Sequence, residues 1–97
     1  MLISLAANKI FAQQGLKTEG YNKLYYENGK LASEGFSKDG KPEGYWKTYY
    51  QNGQLKSEGS RKNFQLEGIW KFYDSDGNLS SEITYEEGKK NGPNRIY

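Results

Sequence analysis

The chain has 97 residues, enough for one domain, and it contains no cysteine and no histidine. A disulfide framework, a thiolate metal site and the commonest general base are therefore excluded, and we predict no catalytic residues, no metal site and no cofactor. Fourteen basic residues nearly balance twelve acidic ones and are dispersed along the chain, so the charge footprint of a nucleic-acid-binding protein is missing.

Residues 1–19 form an N-terminal segment and a polar link. Within residues 1–12, apolar side chains recur at helical spacing, which predicts a short amphipathic helix. The same stretch also has the apolar core of a signal-peptide remnant, although it lacks a basic start. The helix interpretation slightly favours a cytoplasmic protein, and the signal interpretation an exported one, in the periplasm or at the cell surface. No stretch is apolar over the length of a transmembrane span.

Residues 20–97 are built on a period of 24 residues, which separates Gly20, Gly44, Gly68 and Gly92. Lysine, tyrosine, glycine, leucine, serine and glutamate recur at fixed offsets in each copy. A fixed period of this length is typical of repeat architectures, in which neighbouring units bury what one unit cannot. We predict a repeat domain with copies at residues 20–43, 44–67 and 68–91 and a half repeat at 92–97.

Each copy carries a hairpin signal, Asn28-Gly29, Asn52-Gly53 or Asp76-Gly77, between runs rich in aromatic residues. Such dipeptides are typical of two-residue type I′ turns, in which both central residues have positive φ. Looser connectors join the copies, and the middle connector carries Phe64 and Leu66, which we expect to pack onto the sheet. The predicted fold is all-β, an elongated antiparallel β-meander of tandem hairpins.

A two-residue turn at Asn52-Gly53 fixes the pairing of the two strands around it. It places Tyr50 opposite Leu55, Lys47 opposite Glu58 and Trp46 over Gly59. Alternation then predicts a core face with Trp46 and Leu55 and a second face of tyrosines and ion pairs. The same count pairs two further lysines with glutamates, Lys23 with Glu34 and Lys71 with Glu82.

Residues 44–58, GYWKTYYQNGQLKSE, resemble the MORN-repeat variant found in bacterial proteins, including the YwqK-type antitoxin-like repeat proteins. The resemblance covers residues 20–97, but Asn22 departs from it where Trp46 and Trp70 set the pattern. It implies a meander of stacked hairpins that contacts proteins or membrane surfaces. The antitoxin label implies a partner toxin.

The absence of histidine and cysteine and the regular repeat favour a non-catalytic protein-interaction module over an enzyme. Carboxylates at turns, such as Asp74 and Glu86, lack the partner arrangement that hydrolysis requires. The partner is an unidentified protein, and pairing of two copies through sheet edges is a further expectation. A cell-wall carbohydrate or a membrane surface is the alternative ligand. The predicted interaction face contains five tyrosines and two lysines: Tyr21, Tyr25, Tyr45, Tyr49, Tyr73, Lys47 and Lys71.

Overall fold

A computed structural model describes residues 15–92 and 94–97. Within these residues the chain is all-β and contains no helix, which confirms the predicted fold class. The N-terminal helix or signal remnant predicted for residues 1–12 lies outside the described residues. The strands are β1 (Glu19–Tyr25), β2 (Leu31–Lys38), β3 (Lys41–Tyr49), β4 (Leu55–Lys62), β5 (Gln65–Tyr73), β6 (Leu79–Glu86), β7 (Lys89–Lys90) and β8 (Arg95–Ile96).

The strands form one open antiparallel sheet in which each strand from β1 to β6 pairs with the next along the chain. The last two strands are short and share the outer edge of β6. β7 pairs with Tyr85 and Glu86, and β8 pairs with Ser81 and Glu82. The sheet is therefore a meander, as predicted.

The turns at the Asn-Gly and Asp-Gly dipeptides differ from the prediction. The Gly53 N–H donates to the Tyr50 carbonyl at 2.9 Å, and the Tyr50 N–H donates to the Gln54 carbonyl at 2.8 Å. Of the three loop residues only Gly53 has positive φ, 93°. This is the pattern of a three-residue loop, a type I turn followed by a glycine bulge. The same bonds recur around Gly29 and Gly77, so the predicted two-residue turns are wrong.

Two-residue turns occur instead in the connectors, which were predicted to be looser. Lys62 pairs with Gln65 across Asn63 and Phe64, whose φ angles are 54° and 71°. The other two connectors turn in the same way, at Asp39-Gly40 and Glu87-Gly88. Positive φ at both central residues is the signature of the type I′ turn.

A β-bulge next to each three-residue loop shifts the register by one residue. Thr48 pairs with Ser57, but Tyr49 pairs with Leu55, so Lys56 is the extra residue. The predicted pairs beyond the bulge, Lys47 with Glu58 among them, are confirmed because the loop and the bulge offset each other. Nearer the turn the prediction is wrong. Leu55 lies opposite Tyr49 and not on the tryptophan face, and the Lys56 Nζ lies 5.6 Å from the centre of the Tyr50 ring.

Two tryptophans form the centre of the core, and each packs on a glycine of the preceding copy. Trp46 and Trp70 are only 4% and 3% exposed. A Cβ atom added to Gly35 would lie 2.2 Å from the Trp46 ring, and one added to Gly59 would lie 2.4 Å from the Trp70 ring. Trp46 and Gly59 are register partners as predicted, but the Trp46 ring covers Gly35. The packing therefore joins one copy to the next.

Asparagine replaces tryptophan at both ends of this stack. Asn22 is buried, and its Nδ2 donates to the Gly35 carbonyl at 3.1 Å while its Oδ1 accepts the Lys17 N–H at 2.8 Å. At the other end, the Asn94 Oδ1 accepts the Thr84 N–H at 3.1 Å. Ile83 stands in the glycine column because no tryptophan follows it. At these two positions the asparagines thus replace the indole packing with hydrogen bonds to the backbone.

We expect Gly59→Ala to destabilise the protein by about 1–3 kcal/mol, because the added methyl group overlaps the Trp70 ring. Gly35→Ala should behave alike beside Trp46. Gly15→Ala is the control, since no atom of the described residues lies within 4 Å of its added Cβ. Urea unfolding measures all three variants, and a Gly59→Ala protein as stable as the control would contradict the packing.

Phe64 is 58% exposed, so the prediction that it packs onto the sheet is wrong. Its φ of 71° is unfavourable for a bulky side chain. We therefore expect Phe64→Gly to raise the free energy of unfolding by about 1 kcal/mol. Gly40→Ala tests the opposite change, from glycine to a residue with a side chain, at φ 74° and with no described atom within 4 Å of the added Cβ. It should lower the free energy of unfolding by a similar amount. Thermal unfolding of both variants checks the prediction, and a destabilised Phe64→Gly protein would refute it.

Candidate interaction face

The tyrosine face is the side of the sheet opposite Trp46 and Trp70. Side chains alternate along a strand, so residues next to the tryptophans point to this side. All seven residues of the predicted interaction face lie here, on β1, β3 and β5. The structure brings them together in rows across the sheet, with one row of charges between two rows of rings.

The row of charges crosses the whole sheet. Strand pairing places a lysine or arginine beside a glutamate at every step from β1 to β8. Each glutamate therefore has a cation on both neighbouring strands. The order across the sheet is Lys23, Glu34, Lys47, Glu58, Lys71, Glu82, Arg95.

Tyrosine hydroxyl groups from two copies hold each of the first two glutamates. The Tyr21 hydroxyl donates to Glu34 at 2.9 Å, and Tyr49 of the next copy donates to the other carboxylate oxygen. Glu58 accepts in the same way from Tyr45, at 2.9 Å, and from Tyr73, at 2.5 Å. At the third copy the position of Tyr21 and Tyr45 is Ile69, which has no hydroxyl group to donate.

These hydrogen bonds shift the ionisation of both partners. The bond from Tyr49 is the main cause that lowers the pKa of Glu34, against the opposing effect of burial. Burial also raises the pKa of Glu58, but the bonds from Tyr73 and Tyr45 and the charges of two lysines outweigh it, so this pKa is lowered too. The bond to Glu58, followed by burial, raises the pKa of Tyr73 to about 12. Near neutral pH the carboxylates are therefore ionised and the phenols protonated.

The tyrosine face also exposes large apolar side chains. Tyr45 is 50% exposed, Phe36 55% and Ile69 60%, and Tyr21 and Tyr25 are also exposed. The rings of Tyr21 and Phe36 meet edge to face with centroids 4.8 Å apart. Tyr49 and Tyr73 are only half-buried, with their hydroxyl groups turned to glutamates. The exposed apolar surface is thus concentrated in the row that contains Tyr21, Tyr45 and Ile69.

Sequence reasoning placed Phe36 and Ile69 in no site. Ile69 occupies the repeat column of Tyr21 and Tyr45, so the column itself was the available signal. Phe36 is the register partner of Tyr21. Glu34 and Glu58 were predicted only as cross-strand partners of lysines. Their bonds to Tyr49 and Tyr73 join neighbouring copies, and the predicted register related only the two strands within one hairpin.

Across the described ranges, 15–92 and 94–97, no cluster of three or more acidic side chains is arranged to hold a metal ion. The same part of the chain offers no helix of the length and apolarity needed to cross a membrane.

The model of the MORN repeat variant family matches residues 18–39, 42–63 and 66–87. These matches cover more than half of the chain. Their first residues are 24 positions apart, which is the period found in the sequence. The chain therefore belongs to the MORN repeat variant family. No curated protein is similar enough to count as a relative. Repeats of this family generally act as modules that bind proteins or membranes, and they are typically not enzymes.

The lowered pKa values of Glu34 and Glu58 predict a specific acid sensitivity. A lowered pKa contributes stability that is present above the ordinary value of 4.5 and is lost as the pH falls through the lowered one. We expect the double variant Glu34→Gln, Glu58→Gln to lose this part of the dependence of unfolding free energy on pH. Urea unfolding between neutral pH and pH 3 measures it.

Glu82→Gln is the control, because its copy offers Ile69 where the others offer a tyrosine. The change in the double variant should exceed the change in this one. An unchanged pH dependence in the double variant would show that the tyrosine bonds do not stabilise the ionised carboxylates.

Proposed function

We propose that this protein is a non-catalytic binding module that holds a protein partner against its tyrosine face. One observation carries the proposal. Five of the exposed large apolar side chains lie on this one side of the sheet: Tyr21, Tyr25, Phe36, Tyr45 and Ile69. On the tryptophan face Trp46, Trp70 and Tyr26 are buried, and Ile96 at the sheet edge is exposed. Grouped apolar side chains on the surface of a small protein mark interaction sites.

The composition of the face suits a protein partner. Tyrosine and other aromatic residues are enriched in protein interfaces, where a ring gives contact area and a hydroxyl group gives a hydrogen bond. The hydroxyl groups of Tyr21 and Tyr45 are already fixed on glutamates. Their rings are therefore held in place before a partner arrives, which lowers the entropy cost of binding.

Nothing in this geometry supports catalysis. General acid–base chemistry needs two groups whose environments bring one proton within reach near neutral pH. Here both pKa values move away from neutral pH, since the pKa of Glu58 is lowered while the pKa of Tyr73 is raised. Both groups are locked in the state they already hold at neutral pH.

The specific form of this proposal is antitoxin-like, in which the partner is a toxin that the tyrosine face neutralises. Lys47 and Lys71 each lie between two glutamates in the charge row, so the face offers charges of both signs to polar groups of the partner. Two alternative ligands are a cell-wall carbohydrate, which the exposed rings of Tyr21 and Tyr45 support, and a membrane surface. Pairing of two copies through the edges β1 and β7–β8 remains a separate proposal.

The test starts from the full chain, cross-linked in its native cells so that a bound protein is recovered and identified. Binding of the purified partner is then measured for Phe36→Ser and Ile69→Ser. Removing an apolar side chain from the centre of an interface costs about 1 kcal/mol or more, so we expect each variant to bind about fivefold or more weakly.

Phe64→Ser is the matched control, because Phe64 is equally exposed but lies on a connector turn away from the face. It should bind like the wild type. Equal losses in all three variants would contradict the assignment of this face. The cross-linking could recover no protein, and the chain could instead bind wall polysaccharide or lipid vesicles in a way that Ile69→Ser weakens. That result would replace the protein partner with one of the alternatives.

A further inference from the structure

A groove lies on the tryptophan face, on the opposite side of the sheet from the proposed protein interface. It has a volume of about 760 Å³. Its floor is formed by Ser33, Thr48 and Ser57, which are consecutive partners on β2, β3 and β4. Tyr26 and Tyr50 form its walls, and Lys56 lies at its rim.

The groove exists because one residue breaks the repeat. Across the sheet, this row reads Leu24, Ser33, Thr48, Ser57, Phe72, Ser81, Ile96. The second strand of each hairpin, β2, β4 and β6, contributes a serine. Leu24 on β1, Phe72 on β5 and Ile96 on β8 are large and apolar, and only β3 departs from this pattern. Thr48 is short and polar where Phe72 fills the same place one copy later, so three hydroxyl-bearing residues lie together only here.

The floor carries hydroxyl groups, which suit a polar ligand. The Thr48 and Ser57 hydroxyl groups bond to each other at 2.5 Å, which uses one of their two protons and leaves acceptor sites free. An apolar ligand would leave these groups unpaired at a cost in free energy. A sugar ring offers neighbouring hydroxyl groups to such a floor and C–H faces to aromatic walls.

The rim adds a preference for negative charge. Among the described residues that line the groove, Lys56 alone is charged. Its Nζ lies 5.6 Å from the centre of the Tyr50 ring. The walls are fixed, because the Tyr26 hydroxyl donates to the Tyr49 carbonyl at 2.5 Å and the Tyr50 hydroxyl to the Tyr73 carbonyl at 2.6 Å.

We propose that this groove is a binding site for an acidic sugar, with the ring of the sugar on the Ser33–Thr48–Ser57 floor and its carboxylate at Lys56. The volume is within the range of small-molecule sites and larger than one sugar ring requires, so a unit of a longer acidic saccharide fits as well. The site is separate from the tyrosine face and does not depend on its function.

Nuclear magnetic resonance of the isotope-labelled full chain tests the site with three probes: D-glucuronate, D-glucose and acetate. We expect glucuronate to shift the backbone amides of Thr48, Lys56 and Ser57. Glucose lacks the carboxylate and acetate lacks the ring, so each should bind about tenfold or more weakly.

Sister copies supply the matched variants. Thr48→Phe introduces the residue of position 72 and should abolish the shifts by filling the groove. Lys56→Ser introduces the residue of position 80 and should reduce glucuronate binding to that of glucose. Unchanged amide resonances on the tyrosine face show that both variants are folded.

Three results would overturn the proposal. One is the absence of groove shifts with glucuronate at concentrations that saturate weak ligands. Another is acetate binding as tight as that of glucuronate, which would reduce the groove to a bare carboxylate site. The last is undiminished glucuronate binding by a folded Thr48→Phe protein. Partner binding to the tyrosine face should be the same in both groove variants, so failure here leaves that proposal intact.

Discussion

The packing of a tryptophan ring on a bare glycine backbone is the contact on which this fold depends. Within residues 15–92 and 94–97 the sheet has no second layer against which to bury its side chains, so it covers its rings with its own backbone. Gly35 and Gly59 let the Trp46 and Trp70 indoles lie flat, and the indole N–H groups donate to the Phe36 and Ser60 carbonyls at 2.9 Å. Removing such a ring costs about 3–5 kcal/mol, a large share of the stability of a domain this small.

Because each ring lies on the preceding copy, the contact has a direction, and the two ends of the array need different solutions. In the first copy Asn22 replaces the ring, and its Nδ2 donates to the Gly35 carbonyl. In the third copy Ile83 occupies the glycine column, and the next tryptophan position holds Asn94. The loops of the hairpins also differ between the first two copies and the third. Tyr26 and Tyr50 reach a carbonyl of the next copy, whereas Asp74 in the third copy bonds to Asp76 and Asn78 of its own turn.

The period, the fold class and the Lys47–Glu58 pair were predictable from sequence because each depends on residue spacing alone. The turn type was not, since a three-residue loop with a bulge at Lys56 restores the register of a two-residue turn beyond the bulge. Sequence spacing was equally unable to show whether Trp46 covers Gly35 or Gly59, because both are its register partners. The bonds from Tyr49 and Tyr73 to glutamates also escaped prediction, because they join different copies.

The predicted interaction face therefore contains tyrosines with two different roles. Tyr49 and Tyr73 reach back to glutamates of the preceding copy, so they tie hairpins together and are only half-buried. Tyr45 bonds within its own hairpin and keeps half of its surface exposed, and Ile69 in the same column keeps more. A column that tolerates both tyrosine and isoleucine is not maintained by the hydrogen bond. What its members share is exposed apolar area, which is the property that a binding surface uses.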